Sequence, residues 1–184
     1  MKATKITSWH FILILSAVAF FLTDRIKPSP PETKAPASVL QVHFSPSGGA
    51  TDAIIEAPDH ARSSILVQAY SFTSETIAQA LARAHGRGVQ VQVLLDKSKR
   101  TPEYSVEALL SHAGIPILFD AAHAIAHNKV MIIDNRIVVT GSFNFTKAAE
   151  ERNAENLLVF RDVDLAGRYV ENWRAHQAHS EQLR

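Results

Sequence analysis

Apolar and polar positions alternate over residues 39–44, the pattern of a strand with one face in the core. A denser apolar run over 64–70 predicts a buried strand, and clean alternation returns over 89–95. Shorter strands follow at 115–119 and 156–160. Between these two, apolar runs at 130–133 and 137–140 flank Asp134-Asn135-Arg136, which predicts a β-hairpin. Helical spacing fills the gaps. Thr51 or Asp52 can cap a helix running to about Arg62. Ser74 can cap a second over 75–85, with Ile77, Ala80, Leu81 and Ala84 on one face and Gly86 and Gly88 at its end. A third runs from Pro102 to His112, stopped by Gly114. Thr146 caps a short helix over 147–152. Asp162 or Asp164 caps a last one through about His179, packing through Tyr169, Val170 and Trp173. Early strand–helix alternation followed by a hairpin predicts an α/β domain: a mixed, mostly parallel β-sheet with helices on both faces.

The first 37 residues break this pattern. Lys2 and Lys5 precede an apolar run over 9–22, interrupted by His10 and Ser16. Fourteen residues is short against the about 20 that a spanning helix needs, and matches the apolar region of a secretory signal. Ala17-Val18-Ala19 and Ala35-Pro36-Ala37 are the candidate cleavage sites, the first inside the run and the second far beyond it. An uncleaved anchor is the alternative. Residues 23–37 carry Pro28, Pro30, Pro31 and Pro36 and form an extended linker. The expected organisation is a signal peptide or membrane anchor over 1–22, the linker over 23–37, and one folded domain over 38–184. The basic flank places that domain outside the cytoplasm, periplasmic, secreted or tethered through residues 9–22.

Composition narrows the partners less than the pattern does. The 184 residues include no cysteine, which removes disulfides and thiolate metal sites. Residues 1–37 hold five of the 19 basic and two of the 18 acidic residues, leaving 14 against 16 in the domain, a formal −2. A dedicated nucleic-acid binder is usually strongly basic, so phosphate contacts must come from a local patch. Lys97, Lys99 and Arg100 form one after the third strand. That is the end of an α/β sheet where ligands tend to bind.

The chemistry-bearing residues cluster at the hairpin. His127 and Lys129 share one face at its entry, and Ser142 and Asn144 share one face just past its exit, beside Gly141. A hairpin brings those ends together. Imidazole, ammonium, hydroxyl and amide then converge on a spot suited to a phosphodiester: cation and neutral donors hold non-bridging oxygens, and histidine attacks phosphorus or moves a proton. A lone histidine beside a strand is more often structural or solvated; the constellation is what changes the reading. His123, four residues before His127, has no acidic or third histidine ligand at useful spacing, so it reads as an exposed loop histidine rather than a metal ligand. The cluster itself requires no metal or cofactor.

His127, Lys129, Asp134, Gly141, Ser142 and Asn144 stand at the spacing H-x-K, four residues, D, six residues, G-S-x-N. With the segments 69–74 and 141–150, this resembles the phospholipase D superfamily, and among its members the small single-motif bacterial EDTA-resistant endonucleases. The likeness runs from about Val39 to the last helix. It implies an α/β fold and a phosphodiesterase that works without metal. His127 would form a phosphohistidine, and Lys129 and Asn144 would clamp phosphoryl oxygens with Ser142 assisting. Glu155 would orient the ring of His127, and Asp134 would steady the turn. One motif per chain implies a homodimer with a composite site. Nucleic acid is the leading substrate and a phospholipid the alternative. A catalytically silent nucleic-acid-binding protein is a third reading, against which the intact His127 and Lys129 stand.

Overall fold

The computed structural model describes residues 38–99 and 106–182, within a unit spanning Ala37–Arg184. Eight strands form one sheet: β1 (Ser38–Ser45), β2 (Ser64–Ala69), β3 (Gln90–Asp96), β4 (Ile117–Asp120), β5 (Lys129–Ile133), β6 (Ile137–Gly141), β7 (Glu155–Arg161) and β8 (Ser180–Gln182). Five helices join them: α1 (Ala50–Asp59), α2 (Glu75–Gly86), α3 (Val106–His112), α4 (Lys147–Glu151) and α5 (Val163–Gln177). The strand order is β1-β7-β6-β5-β2-β3-β4-β8.

The sheet is mixed but mostly antiparallel, which corrects the sequence expectation. Only β2–β3 and β3–β4 pair in parallel; the other neighbours are antiparallel. The helical crossovers α2 and α3 impose the two parallel pairs. The β5–β6 hairpin and the β6–β7 return pair neighbours in sequence without a crossover, so they are antiparallel, while β1 and β8 close the two edges against β7 and β4, also antiparallel.

Strand alternation divides the buried residues into two clusters. Val67, Val93, Met131 and Val139 pack with Ile54 of α1, Ile77 and Leu81 of α2 and Leu110 of α3. Leu94, Val130, Ile132 and Val138 pack with Ala166, Val170 and Trp173 of α5. Burying a side chain of this size stabilises the fold by about 1.5–3 kcal/mol. The Trp173 indole also donates to the Val67 carbonyl at 3.0 Å, fixing α5 to a central strand.

Two local readings change and one alternative is resolved. Gly49, at φ 75°, stands at the N-cap of α1, where Thr51 or Asp52 was expected. The Thr51 amide instead donates to Glu150 at 2.8 Å. Asp162, not Asp164, caps α5 by accepting from the Leu165 amide. That helix stops at Gln177, because the chain turns back to pair Ser180–Gln182 with β4, a strand the apolar pattern does not announce. No helix among the described residues is long and apolar enough to cross a membrane. The expected signal or anchor over 1–22, the linker, Pro102 and Arg100 lie outside the described residues.

Candidate active site

The hairpin closes as the sequence demands. The Arg136 amide donates to the Ile133 carbonyl at 3.0 Å across a turn in which Asp134 and Asn135 have φ 52° and 51°. Two successive positive φ values define the tight turn that matches strand twist, and Asp and Asn tolerate it. The Asp134 carboxylate accepts from the amides of Arg62, Ser63 and Ser64 and from the Ser63 hydroxyl at 2.8–3.2 Å. Burial pushes its pKa up, but the Ser64 and Ser63 donors outweigh this and hold it below the usual carboxylate value. Asp134 therefore ties the turn to the start of β2.

The opposite end of the hairpin carries the chemistry. Antiparallel pairing sets the start of β5, the end of β6, the start of β7 and the end of β2 side by side. Lys129 is buried, and its ammonium donates to the His127 carbonyl at 2.7 Å. It also stands 5.1 Å over the Tyr70 ring. Burial pushes the Lys129 pKa down; the Glu155 carboxylate pulls it part of the way back. The His127 side chain is exposed, with its ring 4.5 Å from that of Tyr70. Tyr70 thus props both motif residues, and its amide donates to the Asn128 carbonyl at 2.8 Å. Sequence reasoning passed over Tyr70 as the end of a strand; its place inside the family-like segment 69–74 was the available signal.

Ser142 and Asn144 reach the same place through a backbone that only glycine permits. Gly141 has φ 154°, and a Cβ there would lie 2.2 Å from the Asn156 carbonyl oxygen. That carbonyl accepts the Ser142 and Phe143 amides at 3.1 and 3.3 Å. Alternation then buries Phe143 and Phe145 in the core and turns Ser142 and Asn144 the other way. The Ser142 hydroxyl accepts from the Asn156 amide and side chain at 3.0 and 3.3 Å. With both lone pairs used, its proton is left to donate. The buried Asn144 Oδ1 has no partner, an arrangement that costs about 1–3 kcal/mol unless something supplies a donor.

Other expected residues fall differently. Glu155 opens β7 and accepts from the Asn153 side chain at 3.1 Å; it lies near enough to Lys129 to act on its charge. Among the described residues no hydrogen bond joins it to His127, so the orienting contact implied by the resemblance is not made within one chain. Lys97 lies in a 3₁₀ turn over Lys97–Lys99 and donates to the Ala121 carbonyl at 2.9 Å. It supports the loop before His127. Asp96, at the end of β3, supports it too: it accepts from the Ala126 amide at 2.6 Å and from the Ser98 amide and hydroxyl. The reading of His123 as an unaccompanied loop histidine is corrected. Its Nδ1 lies 2.9 Å from Asp120, which also meets His176 and His179 from the end of α5. Asp120 stands only three residues before His123, a spacing the sequence did show; His176 and His179 come from the far end of the chain, where no local spacing could show them.

Taken together, an exposed imidazole, a buried ammonium, a hydroxyl proton and an amide share one end of a rigid hairpin. The set can hold a phosphoryl group and present it to a nucleophile. Residues 54–176 match the family described as "Cardiolipin synthase, PLD-like domain". A phospholipase D of Rickettsia bellii is 45% identical over 141 residues, covering 77% of this chain and 70% of that one. A mitochondrial cardiolipin hydrolase of Mus musculus is 33% identical over 113 residues, 61% of this chain and 51% of that one. Among solved structures, the phospholipase D family member Nuc from Salmonella typhimurium superposes with a TM-score of 0.75 at 40% identity, covering 80% of this chain and 99% of that one. The chain belongs to the phospholipase D superfamily, as a phosphodiesterase whose histidine–lysine motif is His127 and Lys129.

Proposed function

We propose that the protein cleaves the phosphodiester backbone of nucleic acid, without a catalytic metal, as a homodimer with one composite site. The observation that carries this is the exposed His127 ring and the buried Lys129 ammonium, both set against the Tyr70 ring at the open end of the hairpin. An imidazole nitrogen of His127 attacks phosphorus and the bond to the leaving oxygen breaks. That oxygen takes a proton from His127 of a second copy. The same second histidine then removes a proton from water, whose oxygen displaces His127 from phosphorus. Lys129, Asn144 and the Ser142 proton hold the non-bridging oxygens throughout. Among the described residues the ring contact of His127 is with Tyr70, and in this reading the second copy supplies the acid–base partner. Lys97 extends the anion-binding surface.

A second reading, a phospholipid head group, draws support from the relatives named phospholipase D and cardiolipin hydrolase. Ile125, two residues before His127, is 58% exposed, and the apolar run over 9–22 would tether the domain to a membrane outside the cytoplasm. The full-length chain and its His127→Ala variant are incubated with plasmid DNA, single-stranded DNA and phospholipid vesicles. DNA cleavage by the parent and none by the variant is the expected result. Head-group release alone moves the assignment to lipid. Cleavage that survives in the variant refutes the mechanism, and an active species found monomeric by light scattering at assay concentration refutes the composite site. Binding without turnover would leave a silent nucleic-acid-binding protein.

A further inference from the structure

Asp120, His123, His176 and His179 each direct one ligand atom into a volume where all four atoms lie within 4.8 Å of one another. The fold assembles them from two distant segments. Asp120 ends β4 and is fully buried, and the turn after it returns His123 over its carboxylate. His176 stands in the last turn of α5, and His179 follows the C-cap Ala178. Pairing of Ser180 with Asp120 holds that end of the helix against β4. His176 Nδ1 lies 2.6 Å from Asp120 Oδ2, His123 Nδ1 2.9 Å from the same oxygen, and His179 Nε2 3.4 Å from Oδ1.

Hydrogen bonding alone overfills this carboxylate. It faces three ring nitrogens together with the amides of Ala122 and His123. A carboxylate offers about four lone-pair sites. Without a cation, all three imidazoles must also place a proton on the inward nitrogen. A bound cation removes both demands, because neutral imidazoles then point lone pairs inward. Metal bonds of about 2.0–2.2 Å set tetrahedral ligand atoms roughly 3.3 Å apart. The contacts to Asp120 span 2.6–3.4 Å and no pair of the four ligand atoms is more than 4.8 Å apart, so small side-chain shifts bring them to that spacing. Imidazole with one carboxylate suits zinc, cobalt or nickel better than magnesium or calcium. Four protein ligands leave no open position, which marks a structural rather than a catalytic centre. His123 and His179 are 47% and 35% exposed, so an ion can enter.

The geometry points to a structural site for a divalent transition metal, zinc first, formed by Asp120 Oδ, His123 Nδ1, His176 Nδ1 and His179 Nε2. The ion joins the loop that ends in His127 to the end of α5 and to β8, and takes no part in the chemistry at His127.

Tag-free full-length chain is stripped with a chelator, then titrated with cobalt(II) and back-titrated with zinc(II). The expected result is one ion per chain, the visible bands of tetrahedral cobalt, their loss on zinc addition, and a zinc-dependent rise in Tm. His123→Ala and His179→Ala change partly exposed side chains on different segments. Each lowers affinity by at least the about 10–100-fold that loss of an outer-sphere partner costs. Absence of saturable binding in the parent would leave a hydrogen-bonded cluster only and overturn the inference. Undiminished binding in both variants would overturn it too. His127→Ala retains the ion; loss of binding there would put the metal at the catalytic histidine instead. The readouts are spectral and thermal, so the result stands apart from any assay of phosphodiester cleavage.

Discussion

Replacing Asp134 separates the motif into a part that folds and a part that reacts. In Asp134→Ala the Ser64 amide, half-buried, loses a charged acceptor at 3.0 Å. A hydrogen bond to a charged group contributes about 1.5–3 kcal/mol. Alanine at φ 52° adds the left-handed penalty of about 1–2 kcal/mol. Water replaces the partners of the exposed Arg62 and Ser63 amides at little cost. The sum is about 3–4 kcal/mol, or roughly 6–16 °C in Tm for a chain of this size. Asp134→Asn keeps an acceptor and tolerates the turn, so it loses about half as much. Because the folded-state pKa is depressed, the charged form contributes stability above the unfolded value of about 3.9. That contribution disappears as pH falls through the lower folded value, and the gap between parent and Asp134→Asn closes there. Turnover should hold in both variants well below their Tm. Asp134 and Lys129 lie at opposite ends of β5, roughly 15 Å apart at about 3.3 Å per residue. Chemical denaturation followed by circular dichroism, with cleavage measured on the same samples, tests this. An Asp134→Asn variant as inactive as His127→Ala but unchanged in stability would refute the argument.

Two further outcomes follow from the same end of the sheet. Gly141→Ala should lose stability and turnover together, by at least the about 1–3 kcal/mol of overpacking. The new Cβ meets the Asn156 carbonyl and displaces Ser142 and Asn144; parent-like Tm and kcat/KM would contradict this. Since burial lowers the Lys129 pKa, kcat/KM should begin to fall with rising pH before ordinary lysines titrate near 10.4. The residual activity of Lys129→Arg, always charged, should lack that limb; its presence there would assign the limb to another group.

Local chemistry makes much of this protein legible in its sequence. The tight hairpin turn and the Ser74 and Thr146 caps depend on neighbours within a few residues. What escaped depends on long-range pairing. The sheet looked mostly parallel because alternating strands and helices suggest crossovers, and the pattern cannot show that β5 and β7 enter reversed. β8 was hidden because Ser180, Glu181 and Gln182 carry no apolar signal. His176 and His179 were missed as partners of His123 because a sequence states spacing along the chain and not across it.

The buried Lys129 carries a further meaning for descent. A cation withdrawn from water weakens the fold that contains it, and its hydrogen bond to the His127 carbonyl only partly offsets that. A lineage that stopped doing chemistry would gain stability from almost any apolar replacement there. Such a change would go unopposed by selection. If the proposed chemistry holds, retention of the ammonium is a record of use, and drift at this position is the expected first trace of a copy that has fallen silent.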